Sequence, residues 1–169
     1  MPRRQRFAPL WGLAFGLPLD KLTPYRAADP FDWAAALALI ARAFAGMEGR
    51  IDPPSSIHQF TVADLQAAEL WCIGTPPVAC VLLTPKPGAL YLGKLAVEPG
   101  QTRKGLARAL VLAAETRARA LGLPALELQT RVELTENHAT FQAMGFQEIA
   151  RTAHSGFDRP TSITFRKSL

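Results

Sequence analysis

The run from Leu90 to Ala107, LYLGKLAVEPGQTRKGLA, puts an apolar strand, a short basic loop and the start of a helix in fixed order. Leu90–Val97 is the strand, the loop carries Arg103 and Lys104, and Gly105-Leu106-Ala107 opens the helix. The first N–H groups of a helix have no intrahelical partner, and the helix dipole turns its positive end toward them. Such a terminus receives an anion, and a phosphate group in particular. Arg103, Lys104 and Arg108 add countercharge for a pyrophosphate. The segment therefore predicts a cofactor-using enzyme.

The flanking pattern sets the fold class. Leu22–Ala27 reads as a first strand. Asp29-Pro30 has the form of an N-cap with proline at the first helical position. Trp33, Leu37, Ile40, Ala41 and Phe44 fall at helical spacing, which predicts a helix over Phe31–Ala45. A turn-rich loop, GMEGRIDPPSS, covers Gly46–Ser56, and Thr61-Val62-Ala63-Asp64 has capping-box form for a short second helix. Strands at Leu70–Ile73, Val78–Thr84 and Leu90–Val97 read as an antiparallel meander.

The helix after the basic loop carries Leu106, Ala109, Leu110, Ala113, Ala120 and Leu121 on its expected core face. Arg108, Glu115, Arg117 and Arg119 lie elsewhere on it, and Gly122 ends it. Ala125–Arg131 is a strand, Thr135–Met144 a helix stopped by Gly145, and Phe146–Arg151 and Ser162–Arg166 are final strands. The alternation predicts a layered α/β domain. A parallel pairing of Leu90–Val97 with Ala125–Arg131 requires a right-handed crossover through the helix.

Length and composition fit one globular domain: 169 residues, 49% of them hydrophobic. The net charge of +5 and a pI near 9.7 favour anionic ligands without choosing among them. Neither a recognition-helix motif nor a basic strand interleaved with aromatics is present, so the charge is not read as a nucleic-acid site. Cys72 and Cys80 flank Gly74-Thr75-Pro76-Pro77 and are placed to face each other across a hairpin, as a disulfide or as two buried thiols. His58, His138 and His154 are scattered, and no metal-ligand spacing exists. Arg3, Arg4 and Arg6 precede an apolar stretch, Phe7–Leu19, that Pro9 and Pro18 interrupt and no small-x-small site follows. It is too short to span a bilayer. Residues 1–20 are read as a tail on the domain or an over-long start, residues 21–169 as the domain, and the location as cytoplasmic.

From Leu90 to Phe146 the chain resembles the GNAT superfamily of acetyl-CoA-dependent N-acetyltransferases. The family pattern runs strand, V-x-P turn, then Q/R-x-x-G-x-G/A at a helix start. The chain has Val97-Glu98-Pro99 and then Thr102-Arg103-Lys104-Gly105-Leu106-Ala107. Further on come Asn137, Phe141, Gly145 and Phe146, matching the family's Asn, aromatic and G-F. The resemblance implies a mixed α/β sheet of about 6–7 strands and about four helices, with a splayed pair of parallel central strands. Two positions depart. Thr102 stands where the family has Gln or Arg, and Phe141 where many members have a Tyr that protonates the departing thiolate.

By that resemblance, the thioester of acetyl-CoA lies between Leu90–Val97 and Ala125–Arg131. Leu95, Ala96 and Val97 give their backbone groups to the pantetheine arm, because buried backbone groups need partners. An N–H near Val97 stabilises the oxyanion. Thr102, Arg103, Lys104, Gly105, Leu106, Ala107 and Arg108 hold the pyrophosphate, with Asn137 and Phe141 completing the cofactor site and no metal required. The amine attacks directly in a ternary complex. An alkylammonium has a pKa near ~10, so a base is expected. Glu127 and His58 are the leading candidates, followed by Glu133 and His138. Arg50, Asp52, Ser55, Ser56, Arg131 and His154 are candidate contacts to the acceptor. Arg50 and Arg131 suit one that bears a carboxylate or phosphate.

The expected partner is a small-molecule or peptide amine, not a nucleic acid or a membrane, and homodimerisation stays open. The competing reading is a non-catalytic acyl-CoA-binding or regulatory module, which Phe141 keeps in play.

Overall fold

The computed structural model describes residues 23–169, so the expectations for the N-terminal tail lie outside the described residues. Seven strands form one sheet in the order β1-β2-β3-β4-β5-β7-β6. They are β1 (Tyr25–Arg26), β2 (Glu69–Ile73), β3 (Ala79–Lys86), β4 (Ala89–Val97), β5 (Ala125–Arg131), β6 (Gln147–Thr152) and β7 (Ser162–Ser168). Every neighbouring pair is antiparallel except β4 and β5, which are parallel. Four helices accompany them: α1 (Trp33–Ala45), α2 (Val62–Gln66), α3 (Leu106–Ala120) and α4 (Thr135–Ala143). This is the mixed sheet with one parallel central pair that the resemblance implies.

Side-chain alternation along β3 divides the core in two. Val81 and Leu83 join a cluster with Leu106, Leu110 and Ala114 of α3, and with Phe146 and Phe165. Cys80 and Leu82 point the other way, to Ala36, Leu39 and Ile40 of α1 and Leu65 of α2. The sheet is thus sandwiched between α1 with α2 on one face and α3 on the other. Cys72 and Cys80 are directly opposite on β2 and β3, and both are fully buried, free thiols. Burial pushes the Cys72 thiol up to about 12, and Cys80 is raised by the same desolvation, so neither is a thiolate near neutral pH.

Three local expectations are corrected. Helix α1 begins at Trp33, not Phe31, and its N-cap is Asp32, whose Oδ1 accepts from the Ala35 N–H at 2.9 Å. Asp29 instead accepts from the Trp33 indole at 2.7 Å, while Phe31 packs edge-on against Trp33 with centroids 4.9 Å apart. The first strand shrinks to Tyr25–Arg26. On α3 the buried face is Leu106, Leu110, Val111, Ala114, Glu115 and Ala118, while Leu121 is exposed. The buried Glu115 is tolerated because Lys167 Nζ lies 2.5 Å from Oε1, with Arg119 at 3.7 Å.

The capping box of α2 is present, with Asp64 Oδ2 accepting from the Thr61 N–H at 2.7 Å. Gly122 ends α3 in left-handed geometry. The Leu123 N–H reaches the Ala118 carbonyl at 2.9 Å and the Gly122 N–H the Arg119 carbonyl at 3.0 Å, a Schellman closure.

Candidate active site

Strands β4 and β5 pair only at Leu90–Leu126 and Tyr91–Glu127. Beyond Tyr91 they part. The cause lies on the other edge of β4, where Leu82 pairs with Gly93 but Cys80 pairs with Ala96. Three steps along β4 oppose two along β3, which is a bulge, and Lys94 within it has a φ of 49°. The divergence opens a cleft of about 820 Å³ between Leu95–Val97 on one side and Leu128–Arg131 on the other. The β5-facing backbone of residues 93–97 has no strand partner there, and such groups call for a ligand or water.

The basic loop sits at the C-terminal end of β4. Arg103 has a φ of 61° and Gly105, the N-cap of α3, a φ of 81°. A Cβ on Gly105 would meet nothing within 4 Å, so glycine is there for its backbone conformation and not for packing. The first intrahelical bond of α3 runs from the Ala109 N–H to the Gly105 carbonyl at 3.0 Å. The N–H groups of Leu106, Ala107 and Arg108 therefore have no carbonyl one turn back. Lys104 donates to Gln101 Oε1 at 2.9 Å, and Arg103 and Arg108 are exposed.

Thr102 and Ala107 line the cleft together with Leu95, Ala96 and Val97. Arg103, Lys104, Gly105 and Arg108 lie beside it without lining it, and the Leu106 side chain is core, leaving only its backbone for a ligand. Asn137 and Phe141 line the opposite wall. Asn137 Nδ2 donates to Thr130 Oγ1 at 3.4 Å, and Phe141 packs against Phe146 and Phe165 at 6.0 and 6.1 Å between centroids.

None of the four bases expected from sequence lines the cleft. Glu127 lies at the closed end of the strand pair, ion-paired to Arg166 at 3.1 Å, its Cα partner on β7. His58 is exposed on a single 3-10 turn. Glu133 accepts from the Asp52 N–H at 3.1 Å, and His138 Nε2 is held 2.9 Å from the Arg131 carbonyl. Glu127, Glu133 and His138 are thus taken up by structural partners, although Glu133 Oε2 is buried without one. Among the expected acceptor contacts, Arg50, Ser55, Ser56, Arg131 and His154 do line the cleft, and Asp52 pairs with Arg159 at 2.6 Å outside it. Arg50 is tied to Glu136 at 2.5 Å. Arg131 donates from Nη2 to the Pro53 carbonyl, and its Nε is buried with no protein partner.

Sequence reasoning missed Tyr91 and Lys94. The Lys94 ammonium lies 5.1 Å from the Phe60 ring centroid and 5.7 Å from that of Phe44. Desolvation pulls its pKa down, and the nearby Asp64 charge opposes that shift. The signal was present: a lysine in the middle of an apolar strand breaks the alternation. Tyr91 lines the same cleft. Burial pushes its phenol up, partly offset by a hydrogen bond from the Gln129 backbone. Among the described residues no group of three or more His, Cys, Asp or Glu gathers to hold a metal, and no helix is long and apolar enough to cross a membrane.

Solved structures share this architecture. The ribosomal-protein-S18-alanine N-acetyltransferase of Escherichia coli superposes with a TM-score of 0.66 at 21% identity, covering 86% of this chain and 92% of that one. An acetyltransferase of Streptococcus agalactiae gives 0.67 at 18% identity, covering 86% and 97%. A GNAT-family acetyltransferase of Staphylococcus aureus gives 0.68 at 13%, covering 86% and 98%. At these identities the likeness is one of fold. No curated relative matches by sequence. The acetyltransferase (GNAT) family profile matches residues 33–146, spanning α1, the splayed strands, the basic loop and the G-F that ends α4. The chain belongs to the acetyltransferase (GNAT) family.

Proposed function

We propose that this protein transfers acetyl from acetyl-CoA to a primary amine by direct attack in a ternary complex. Acyl transfer is the general activity of its family. The carrying observation is the opening of β4 from β5 beside a left-handed basic loop. An unpaired strand edge fits the amide-bearing pantetheine arm, and a helix start with free N–H groups fits a pyrophosphate. Leu95, Ala96 and Val97 hold the arm. The N–H groups of residues 106–108 hold the phosphates, with Arg103 and Lys104 as countercharge. A backbone N–H near Val97 stabilises the oxyanion. The family chemistry needs no protein nucleophile, which agrees with two buried thiols that stay protonated.

Phe141 has no proton to give the departing thiolate. Tyr91 is the one phenol lining the cleft among the described residues, and its raised pKa keeps it protonated at neutral pH. It is assigned here as the proton donor. On the acceptor side, the unpartnered Arg131 Nε and the Lys94 ammonium favour an amine that also carries an anionic group.

The test is isothermal titration with acetyl-CoA, followed by a panel of amino acids and N-terminally free tripeptides scored by thiol release. Micromolar, salt-sensitive binding with release on part of the panel supports the reading. No binding at millimolar ligand sinks it. Binding with no turnover on any amine favours the second reading, an acyl-CoA-binding module, for which Phe141 is the specific observation.

A further inference from the structure

The geometry points to His154 as the general base of acetyl transfer, with Thr161 as the positioning residue that sets its tautomer. This rests on the acetyl-transfer reading above.

His154 follows β6 in the loop to β7 and lines the cleft. Its place is set by pairing: Ser162, at the start of β7, is the Cα partner of both Arg131 on β5 and Thr152 on β6. The loop therefore begins beside the end of β5, where the strand pair is open. Seven titratable side chains line the cleft among the described residues: Arg50, Asp64, Tyr91, Lys94, Arg131, Glu136 and His154. Arg50 and Glu136 neutralise each other. Asp64 is held below the ordinary carboxylate range by the Thr61 hydroxyl and N–H that it caps. Arg131 is a guanidinium bound to the Pro53 carbonyl, Tyr91 is a phenol raised by burial, and Lys94, whose pKa burial lowers, lies against the Phe44 and Phe60 rings. Imidazole is the one remaining side chain of a type that exchanges a proton near neutral pH.

Thr161 decides which imidazole nitrogen is free. It is fully buried. Its N–H donates to the Thr152 carbonyl at 2.9 Å, and its carbonyl accepts from the Val132 N–H at 3.2 Å, so it is locked between β5 and β6. Its hydroxyl accepts from the His154 N–H at 2.8 Å, lies 2.5 Å from His154 Nδ1, and donates to the Thr152 carbonyl at 3.4 Å. A hydroxyl has one proton and two lone pairs. Assigned to the Thr152 carbonyl, that proton leaves the lone pairs to accept from His154 N–H and from Nδ1–H, the imidazole tautomer being fixed by which way the hydroxyl points. Nε2 is then the unprotonated nitrogen.

The step balances simply. Nε2 takes a proton from the acceptor ammonium, the freed amine forms a C–N bond to the thioester carbonyl to give a tetrahedral intermediate, its nitrogen gives up a second proton to water, and the C–S bond breaks. The thiolate takes its proton from Tyr91, which regains one from solvent, and His154 releases its proton to water. The charged groups near this end are Arg131 and Glu133 around the β5 exit, Asp158 and Arg159 in the His154 loop, and Arg50 and Asp52 in the segment before α2. Arg159 is paired to Asp52 at 2.6 Å and stands 4.0 Å from Glu133, and Arg131 is bound to the Pro53 carbonyl.

Two readouts test the proposal. Nitrogen NMR of the protein alone should show the Nδ1–H tautomer at His154, and the Nε2–H tautomer there would overturn it. On the best amine of the panel, His154→Gln should lower kcat about 10²-fold. It should also abolish the acidic limb of the pH profile and leave acetyl-CoA affinity unchanged. Thr161→Val should scramble the tautomer and lower kcat, and Thr161→Ser, which keeps the hydroxyl, should restore both. An intact kcat and acidic limb in His154→Gln, with acetyl-CoA still bound, overturns the His154 role alone. A wild-type protein that binds no acetyl-CoA overturns the acetyl-transfer reading and this role with it.

Discussion

Glu69 on β2 and Arg117 on α3 form a two-pronged ion pair, with Nη2–Oε1 at 2.6 Å and Nε–Oε2 at 2.9 Å. It pins the last turn of α3 to the sheet, about three turns beyond the helix start that flanks the cleft. Arg26 on β1 adds a third, looser contact at 3.7 Å. The fork of a guanidinium matches a carboxylate in plane, so this pair is better placed than an ordinary surface bridge.

The pair predicts a pH-dependent stability. The Arg117 guanidinium holds the Glu69 carboxyl below the usual carboxylate range. A carboxyl depressed in the folded state stabilises the protein above its ordinary value, and that contribution is lost as pH falls through the depressed one. Glu69→Gln should therefore lower stability by about 1–2 kcal/mol at neutral pH. The gap from wild type should narrow as the pH falls below the ordinary carboxylate range. Denaturant unfolding of both proteins at neutral and at acidic pH checks it, and an equal gap at both refutes it.

Gly105→Ala should act through the backbone alone. Its φ of 81° with open space around a Cβ predicts strain of about 1–2 kcal/mol and no clash. Relief of that strain moves the N–H groups of α3, so acetyl-CoA affinity should fall with stability. Gly100 is the control: the same open space without a left-handed φ makes Gly100→Ala close to neutral. Thermal unfolding and titration of both variants decide it, and a Gly105→Ala protein of unchanged melting temperature contradicts it.

Much of this was legible in the sequence because it is local. The strand, the V-x-P turn, the glycine at the helix start and the Gly122 and Gly145 stops each depend on a few neighbouring residues. The splayed pair was legible only through the family resemblance. What the sequence did not show was long-range: Glu127, Glu133 and His138 look like free titratable groups in sequence, but Arg166, the Asp52 N–H and the Arg131 carbonyl contact them. The Glu115–Lys167 pair spans 52 residues and put a carboxylate on the buried face of α3, which helical periodicity alone assigns to solvent. The bulge that turns Lys94 into the cleft depends on the register between β3 and β4, which no single strand encodes.

Arg103 and Lys104 should serve affinity and not stability. Arg103 is exposed, and Lys104 is tied only to Gln101. The double substitution to Ala should raise the acetyl-CoA dissociation constant about tenfold or more at low salt while leaving the melting temperature unchanged. Because exposed charges are screened beyond a Debye length of about 8 Å in physiological salt, the gap should narrow in high salt. An unchanged dissociation constant at low salt removes the pyrophosphate from this loop.

Tyr91 and Phe141 make a reciprocal prediction. If the Tyr91 phenol supplies the thiolate's proton, Tyr91→Phe should lower kcat about 10²-fold or more, the usual range for a lost general acid. Acetyl-CoA affinity should hold, because the phenol is assigned to the leaving group and not to binding. Phe141 lines the same cleft, packed against Phe146 and Phe165, so Phe141→Tyr adds a hydroxyl without removing the ring. Added to Tyr91→Phe, it should recover part of the lost rate. The basic limb of the pH profile should follow whichever phenol is present. A Tyr91→Phe protein with wild-type kcat would leave water as the donor, and a faster kcat on adding Phe141→Tyr to it would place the limiting proton donor on the α4 wall instead.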